Sequence, residues 1–347
     1  MTATEGPPAA AGAAPAAPRP HGEKQLVGHK GRVFEARFAP EGTALATASE
    51  DGTVRVWEQA ADRGGVHRQA RLLQASAKDE ALCVGWSPCA RWLLAGGADG
   101  KVRGWQRPAG AGAGAFEERV CLDLPDQVYC AMSGPAEEGG MRHLYTASDD
   151  EVAKWDFERR AEIFKVKCDL LGDAAFGGVR NEGSSAYVFG VDVSPRRGEL
   201  AVSNSDGTVR IHSTADGAPV VFLRSVDGAP VTKALYLGDG HGLVAATGRG
   251  LLLRYDLRKP DAPTVCAAHE KTIHDLLVWP TDPNFLVSCA ADGRLRTWDV
   301  RDLTLRGDSE RENYPYFTVA ADRAGSCLVS AGGTQGIFGV PVFANYL

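Results

Sequence analysis

Short runs in which apolar and polar residues alternate recur along the chain, and four of them directly follow an Asp-Gly pair. The first is the segment Thr53-Val54-Arg55-Val56-Trp57, which follows Asp51-Gly52. The other three pairs are Asp99-Gly100, Asp206-Gly207 and Asp292-Gly293. Alternation with a period of two is typical of a half-buried β-strand, and Asp-Gly is typical of a tight turn before one. The pattern therefore predicts four turns that each lead into a strand.

Two further apolar runs precede each of these turns. We expect the run next to the turn to form a hairpin with the strand after it, and the earlier run to add another strand. The runs next to the turns span 44–48, 92–96, 200–203 and 285–289. The earlier runs span 33–38, 82–86, 187–193 and 273–279.

The same unit recurs along most of the chain. Weaker copies end at Trp155, at Tyr255 and near Phe338, and successive copies end between 40 and 57 residues apart. A repeat of about 40 to 45 residues with Asp-Gly turns is typical of the four-stranded blades of a β-propeller. Seven such units account for the chain after its first 21 residues, so we predict an all-β fold with a single seven-bladed domain over residues 22–347.

Composition changes this picture at the N-terminus. Residues 1–21 are mostly Ala, Pro and Gly, and such a segment cannot bury enough apolar surface to offset the entropy lost on ordering. We therefore predict a disordered tail there. A transit peptide is the alternative, and the scarcity of Arg and Ser in the segment argues against it.

Charge and cysteine content narrow the classes of function. Asp and Glu number 44 against 38 Lys and Arg, and this mild acidity argues against direct binding to nucleic acid. No apolar run approaches the roughly 20 residues that a membrane helix needs.

The eight cysteines include no Cys-x-x-Cys pair, so we expect buried thiols and neither a zinc site nor a disulfide scaffold. The expected location is the cytoplasm or the nucleus, and no cofactor or metal is expected.

The first unit resembles a WD40 repeat, the unit of the WD-repeat β-propellers. The resemblance rests on Gly28-His29 and on the segment from Leu45 to Trp57, and it extends over roughly residues 22–347. In this family a His, a Ser or Thr, an Asp and a Trp form a hydrogen-bonded structural tetrad. The resemblance implies two such tetrads here, one formed by His29, Thr47, Asp51 and Trp57 and the other by His269, Ser288, Asp292 and Trp298. Because the tetrads account for both histidines, neither histidine is assigned to a metal or catalytic site.

Other units depart from this tetrad. The second unit has Ala95 where the tetrad needs a hydroxyl, and the third keeps Thr146, Asp149 and Trp155 only if its turn is one residue shorter. The Trp is replaced in the remaining units by His212, Tyr255 and Phe338. We expect those blades to depend on apolar packing.

A ring of blades also has to close where the two chain ends meet, because unpaired sheet edges invite aggregation. In the family, an N-terminal strand completes the last blade. The candidate for that strand here is the segment 24–27, which we expect to pair near residues 337–343.

No catalytic motif was found: the chain has no phosphate-binding G-x-x-x-x-G-K-[ST] loop, no G-x-S-x-G and no H-E-x-x-H. An enzyme with a propeller-borne site would need a compact polar cluster on the central channel, and the sequence reveals none. The resemblance implies instead a non-enzymatic scaffold that binds peptides or proteins in a multiprotein complex. Candidate partner-binding residues lie on the face that carries the Gly-His loops and in the long connection 165–185, and they are Lys30, Arg32, Lys271, Phe176 and Arg180.

One motif suggests a more specific function. The segment Trp298-Asp299-Val300-Arg301 resembles the W-D-x-R box with which substrate receptors dock on the adaptor of cullin-4 ubiquitin ligases. In that box the arginine, here Arg301, contacts the adaptor. Many propellers carry the same residues as ordinary surface chemistry. The scaffold is therefore the first hypothesis, the ligase substrate receptor the second and an enzyme a distant third.

Overall fold

The computed structural model describes residues 24–59, 67–76, 78–108, 110–111, 115–135, 141–168, 186–194, 196–334 and 337–344. Within these ranges the regular secondary structure consists of β-strands, beginning with β1 (Lys24–Gln25). The predicted tail and the candidate residues Phe176 and Arg180 lie outside the described residues. The described part of the chain contains no helix that is long and apolar enough to cross a membrane.

The chain is an all-β propeller with six blades of four antiparallel strands, and each blade takes its strands in chain order. The first three blades are β2 (Val33–Phe38), β3 (Ala44–Ser49), β4 (Thr53–Gln59) and β5 (His67–Gln74); β6 (Ala81–Trp86), β7 (Trp92–Gly97), β8 (Lys101–Gln106) and β9 (Glu117–Asp123); and β10 (Val128–Ser133), β11 (His143–Ser148), β12 (Glu151–Asp156) and β13 (Ala161–Lys167). The next three are β14 (Val188–Val193), β15 (Glu199–Asn204), β16 (Thr208–Ser213) and β17 (Pro219–Arg224); β18 (Val231–Tyr236), β19 (Gly242–Thr247), β20 (Leu251–Asp256) and β21 (Lys259–Ala267); and β22 (Ile273–Val278), β23 (Phe285–Ala290), β24 (Leu295–Asp299) and β25 (Thr304–Asp308).

A further sheet of five strands contains both ends of the described chain. Its other strands are β26 (Tyr316–Ala321), β27 (Cys327–Thr334), β28 (Ile337–Gly339) and β29 (Pro341–Ala344). The strand order is β1-β29-β27-β26, and β28 also pairs with β27. Lys24 lies opposite Val342, and Gln25 lies opposite Pro341.

The predicted strands before and after the Asp-Gly turns are confirmed to within about two residues at each end. In the first blade, the predicted runs 33–38 and 44–48 correspond to β2 and β3, and β4 begins directly after Gly52. The glycines of these turns have positive φ, for example 76° at Gly52 and 76° at Gly293. Glycine is favoured there because only it adopts the left-handed region without strain. The third blade has a turn one residue shorter, in which Asp149 takes φ 51°.

The apolar core lies between neighbouring sheets. The cluster between the first and second blades, for example, joins Val54 and Val56 to Val84 and Leu93, all of which are buried. The first strands of the six blades and β26 contact one another in a closed cycle. Their side chains line a channel through the middle of the molecule. All seven of these strands have a bulge after their first residue, as between Val33 and Glu35 in β2.

Candidate functional site

Four side chains of the first blade form a continuous series of hydrogen bonds. His29 Nδ1 lies 3.0 Å from Asp51 Oδ2, and His29 Nε2 lies 2.7 Å from Thr47 Oγ1. The indole N–H of Trp57 donates to the same hydroxyl at 2.9 Å. A neutral imidazole with its proton on Nδ1 satisfies every one of these bonds, because Thr47 then donates to Nε2 and accepts from Trp57.

The charges of this group follow from its surroundings. Burial lowers the pKa of His29 below its ordinary value, although the nearby Asp51 carboxylate opposes this. Burial raises the pKa of Asp51, but hydrogen bonds from His29, from Thr53 and from the Lys30 N–H outweigh burial and hold that pKa below its ordinary value. A neutral histidine beside an ionised aspartate is therefore the state near pH 7.

The sixth blade repeats this arrangement with a serine in place of the threonine. His269 Nδ1 lies 3.0 Å from Asp292 Oδ2, its Nε2 lies 2.7 Å from Ser288 Oγ, and Trp298 Nε1 donates to Ser288 Oγ at 2.9 Å. All four side chains are buried. Both ring nitrogens of His269 have a protein partner, as do those of the histidine in the first blade.

Replacing Thr47 with Val is expected to lower the free energy of unfolding by about 1 to 3 kcal/mol, because two buried groups lose their hydrogen-bond partner. Those groups are the Trp57 N–H and His29 Nε2. The midpoint of urea unfolding measures the effect. The matched control is Thr264→Val, at an exposed position of β21. Equal midpoints for the two variants would contradict this expectation.

The other blades keep only parts of the arrangement. In the third blade, Trp155 Nε1 donates to Thr146 Oγ1 at 2.9 Å. In the fourth, His212 stands at the tryptophan position, and its Nδ1 lies 3.1 Å from the carbonyl oxygen of Gly217. In the fifth, the hydroxyl of Tyr255 donates to a backbone carbonyl at 2.7 Å.

The second residue of every channel-lining strand contributes to one cavity of about 420 Å³ at one end of the channel. We call this cavity the upper mouth, and the face on which it opens carries the Asp-Gly turns. The seven second residues are Phe34, Leu82, Tyr129, Phe189, Thr232, His274 and Phe317. The upper mouth is therefore rich in aromatic side chains. Such side chains suit a binding surface because they are stiff and lose little conformational freedom when a partner binds.

Four charged side chains, Glu35, Arg37, Lys233 and Asp275, also line the upper mouth, and we call this group the charged belt. Arg37 Nη2 lies 2.6 Å from Glu35 Oε1, and Arg37 Nη1 lies 3.1 Å from Asp275 Oδ2. Lys233 Nζ lies 3.5 Å from Asp275 Oδ1. The belt thus joins strands of the first, fifth and sixth blades.

Asp275 is the central residue of the charged belt. Burial raises its pKa, but Arg37 and Lys233, with a hydrogen bond from the Val319 N–H, outweigh burial and lower the pKa to about 2. The hydroxyl of Thr318 also donates to Asp275 at 3.0 Å. The channel therefore contains a polar cluster that the sequence does not reveal. The carboxylates of this cluster are already paired with cations.

The opposite end of the channel is mostly apolar. A cavity of about 370 Å³ is lined there by side chains that include Phe38, Trp86, Leu235 and Leu277. Asp192 also lines this cavity, and it accepts a hydrogen bond from the backbone N–H of Tyr236 at 2.8 Å. Burial raises the pKa of Asp192 to about 6.

Among the described residues, no group of three or more His, Cys, Asp or Glu side chains is arranged to hold a metal ion. All eight cysteines are unpaired, and Cys83, Cys168, Cys289 and Cys327 are buried as expected for apolar packing. Cys89 and Cys121 are exposed.

A family model described as "WD domain, G-beta repeat" matches residues 22–58, 69–106 and 263–299. The chain contains WD40 repeats. The three matched repeats have both an Asp-Gly turn and a Trp at the end of the following strand, namely Trp57, Trp105 and Trp298. The units that lack one of these two features lie outside the matched ranges.

Relatives along most of the chain have low sequence identity. A guanine nucleotide-binding protein subunit beta of Arabidopsis thaliana is 22 % identical over 321 residues, which is 88 % of this chain and 80 % of that protein. The angio-associated migratory cell protein of Homo sapiens is 25 % identical over 318 residues, 89 % of this chain and 67 % of that protein. Over a shorter part of the chain the identity is higher: a probable cytosolic iron-sulfur protein assembly protein Ciao1 of Culex quinquefasciatus is 38 % identical over 85 residues, 24 % of this chain and 25 % of that protein.

The predicted partner-binding residues Lys30, Arg32 and Lys271 do not share a common set of contacts. Lys30 is exposed, and its backbone N–H donates to Asp51 at 2.8 Å. Arg32 lines the upper mouth and is held by Glu50, with Nη2 2.9 Å from Oε1. Lys271 is exposed on the loop before β22. Of these three, only Arg32 lines the upper mouth.

The W-D-x-R segment ends the third strand of the sixth blade. Asp299 is buried, and it binds Arg301 through two hydrogen bonds of 2.8 and 2.6 Å and Arg306 through one of 2.6 Å. These bonds hold the pKa of Asp299 below its ordinary value. The side chain of Arg301 is 66 % exposed, so its guanidinium is oriented by Asp299 and open to solvent.

Sequence reasoning missed the group of aromatic side chains in the upper mouth and the charged belt. A signal for both was available. When the seven first strands are aligned, their second positions are mostly aromatic, and their third positions include Glu35, Lys233 and Asp275.

Proposed function

We propose that this chain is a non-enzymatic protein-interaction scaffold that holds a segment of a partner protein in the upper mouth of its channel. The observation that carries the proposal is the exposure of aromatic side chains there, since Phe189 is 40 % and the adjoining Tyr187 is 48 % exposed. Exposed rings on a preformed concave surface are typical of interaction sites. The WD40 repeats support the same class of function, because members of this family commonly assemble proteins.

We also propose that the five-stranded sheet serves as a seventh blade and that β1 closes the ring. The antiparallel pairing of Lys24 with Val342 supports this, as does the contact of β26 with both β2 and β22. On this proposal, residues 22–347 form one domain preceded by a disordered tail, and both tetrads are structural.

The charged belt does not favour an enzyme. A catalytic carboxylate needs access to a substrate and a pKa matched to its task. Asp275 is buried and bound to two cations and a hydroxyl, and Glu35 is bound to Arg37 and to the backbone N–H of Val84. We propose that the belt stabilises the packing of the blades.

The proposed location is the cytoplasm or the nucleus. The eight unpaired cysteines support a reducing compartment, because a secreted chain with several thiols usually carries disulfides.

The double variant Tyr129→Ala/Phe189→Ala is expected to reduce co-purification of at least one partner from cell extract by about tenfold or more, because truncating two anchoring rings usually costs that much affinity. Quantitative mass spectrometry of the tagged full chain measures the recovery. The control is Val226→Ala, at a position on the same face that is 56 % exposed. A recovery profile that matches the wild type would overturn the proposal for the upper mouth.

A second candidate function is that of a substrate receptor of a cullin-4 ubiquitin ligase. One observation favours it: Asp299 orients Arg301 toward solvent, as docking on an adaptor would require. The third strand of the fifth blade ends in the similar pair Asp256 and Arg258, joined at 2.6 Å. The same geometry therefore also occurs where Trp is absent from the motif.

For this candidate, Arg301→Ala is expected to remove the ligase adaptor from the co-purifying proteins while the partners of the upper mouth remain. The matched control is Arg258→Ala. Because a rim charge contributes little to stability, neither variant should change the unfolding midpoint measurably. Absence of the adaptor from the wild-type sample, or its retention by Arg301→Ala, would rule out this second function.

A further inference from the structure

The upper mouth has two sectors that differ in how their rings are used. In the first sector, Phe317 packs against Phe34 with a centroid distance of 6.0 Å and against His274 at 5.0 Å. The guanidinium of Arg32 lies 5.4 Å from the Phe34 ring centroid. Much of the ring surface in this packed sector is therefore already covered by the protein itself.

The second sector, formed by Leu82, Tyr129 and Phe189 with Tyr187 adjoining it, is open. None of the three rings of Tyr129, Phe189 and Tyr187 contacts another ring or a cation among the described residues. Tyr187 and Phe189 are among the exposed large apolar residues of the chain, and the hydroxyl of Tyr129 donates to Gln127 at 3.1 Å. Tyr129 and Phe189 are the second residues of the neighbouring strands β10 and β14, so they present their surface to one place.

The charge around the open sector is negative. Burial raises the pKa of the Tyr129 hydroxyl, and the nearby carboxylates of Asp126 and Asp149 raise it further. Burial and the neighbouring carboxylates also raise the pKa of Asp149. Neither aspartate forms an ion pair with a described residue, and the same holds for Glu80 at the edge of the cavity.

Two of the basic groups nearby, Lys167 and Arg32, are paired with other carboxylates. Lys167 pairs with Asp150 at 3.4 Å, and Arg32 pairs with Glu50. Lys78 is exposed on the loop before Glu80. The floor directly below the open sector is uncharged, because the third residues of these strands are Cys83, Cys130 and Gly190.

We propose that the open sector binds a lysine or arginine side chain on an extended segment of a partner protein. This inference rests on the proposed function, since it names the chemistry of the partner that the upper mouth holds. A cation is attracted by the faces of aromatic rings and by the carboxylates beside them. An acidic segment would be repelled by Asp126 and Asp149, and an apolar one would bury these carboxylates without a partner.

The charged belt limits how far that cation enters. The belt's carboxylates, Glu35 and Asp275, are already paired with Arg37 and Lys233, so the belt offers the entering cation no free counter-ion. The side chain therefore stays at the level of Tyr129 and Phe189, with its backbone on the upper face.

The test uses a random 12-residue peptide library selected against the full chain, followed by fluorescence anisotropy with the selected peptides. We expect Lys or Arg at one common position. Changing that residue to Gln should weaken binding by about tenfold, as should Tyr129→Ala/Phe189→Ala in the protein. Asp126→Asn/Asp149→Asn should weaken binding several-fold and reduce its dependence on salt. Glu270→Gln, a charge change on the same face outside the cavity, is the control.

The outcomes separate this inference from the proposed function. Peptides that require Tyr129 and Phe189 but show no preference for Lys or Arg would overturn the inference and leave the proposed function intact. Acidic peptides at this site, or self-association of the chain that the same variants abolish, would also overturn it. If no selected peptide depends on Tyr129 and Phe189, and the co-purifying proteins do not depend on them either, both proposals fail.

Discussion

Replacing Asp275 with Ala is expected to lower the free energy of unfolding by about 3 to 5 kcal/mol, because it removes the counter-ion of Lys233 and one of the two counter-ions of Arg37, both of which are partly buried. Asp275 is 3 % exposed, and it binds Arg37 at 3.1 Å and Lys233 at 3.5 Å. It also accepts hydrogen bonds from Thr318 and from the Val319 N–H. Removing it therefore weakens contacts among the first, fifth and sixth blades and the five-stranded sheet.

Urea unfolding followed by tryptophan fluorescence measures this effect. Asp261→Ala, at an exposed position of β21, is the matched control and should change stability by less than about 0.5 kcal/mol. The double variant Lys233→Met/Asp275→Ala should recover part of the loss, because it removes the cation that Asp275→Ala leaves uncompensated and keeps the pair of Arg37 with Glu35. Asp275→Ala with the stability of Asp261→Ala would show that the charged belt does not stabilise the fold.

The same carboxylate gives the stability a dependence on pH. The pKa of Asp275 falls from an ordinary 3.8 to about 2 in the folded protein, so the unfolded chain binds its proton more readily. Its contribution is therefore complete above about pH 4 and is lost as pH falls from about 4 to about 2. Wild type should lose more stability than Asp275→Asn across that interval.

Replacing Gly250 with Ala is expected to cost about 2 to 5 kcal/mol, because a left-handed backbone and a direct clash add together. Gly250 has φ +82°, and a Cβ added there would lie 2.1 Å from the carbonyl oxygen of His269. The segment cannot move away easily, since the carbonyl of Gly250 accepts hydrogen bonds from both Ala268 and His269 at 2.9 Å. The strain would fall on the loop that carries the second tetrad.

Gly228→Ala separates the two causes. Gly228 has φ +66°, but a Cβ added there meets nothing within 4 Å, so only backbone strain of about 1 to 2 kcal/mol is expected. Thermal and urea unfolding of both variants measure the difference. Equal losses in the two variants would mean that the clash at Gly250 relaxes without cost.

The strands of this protein follow from local sequence signals. An Asp-Gly pair sets a turn because glycine adopts positive φ freely, and alternation sets a strand because one side faces the core. Units that keep both signals, such as the one ending at Trp57, have strand bounds close to those predicted. The short turn at Asp149 also agrees with the missing residue noticed in the sequence.

The tetrad residues could be chosen from the sequence because the first and sixth units resemble a WD40 repeat. The burial of Arg210 on the third strand of the fourth blade does not follow from the same signals. Its side chain is 1 % exposed and pairs at 2.7 Å with Asp206 of the preceding turn. Strand alternation indicates which residues share a face, but it does not indicate what covers that face.

The sequence by itself determined the repeat and the strands, because each depends on residues within one unit, and its resemblance to a WD40 repeat indicated the hydrogen-bonded side chains. Only the tertiary structure decided which side chains meet in the channel. Glu35 and Asp275 are 240 positions apart in the chain. They share Arg37 only because the arrangement of the sheets brings the first and sixth blades close together. The open sector of the upper mouth arises in the same way, from single residues of three neighbouring blades whose contact no local pattern encodes.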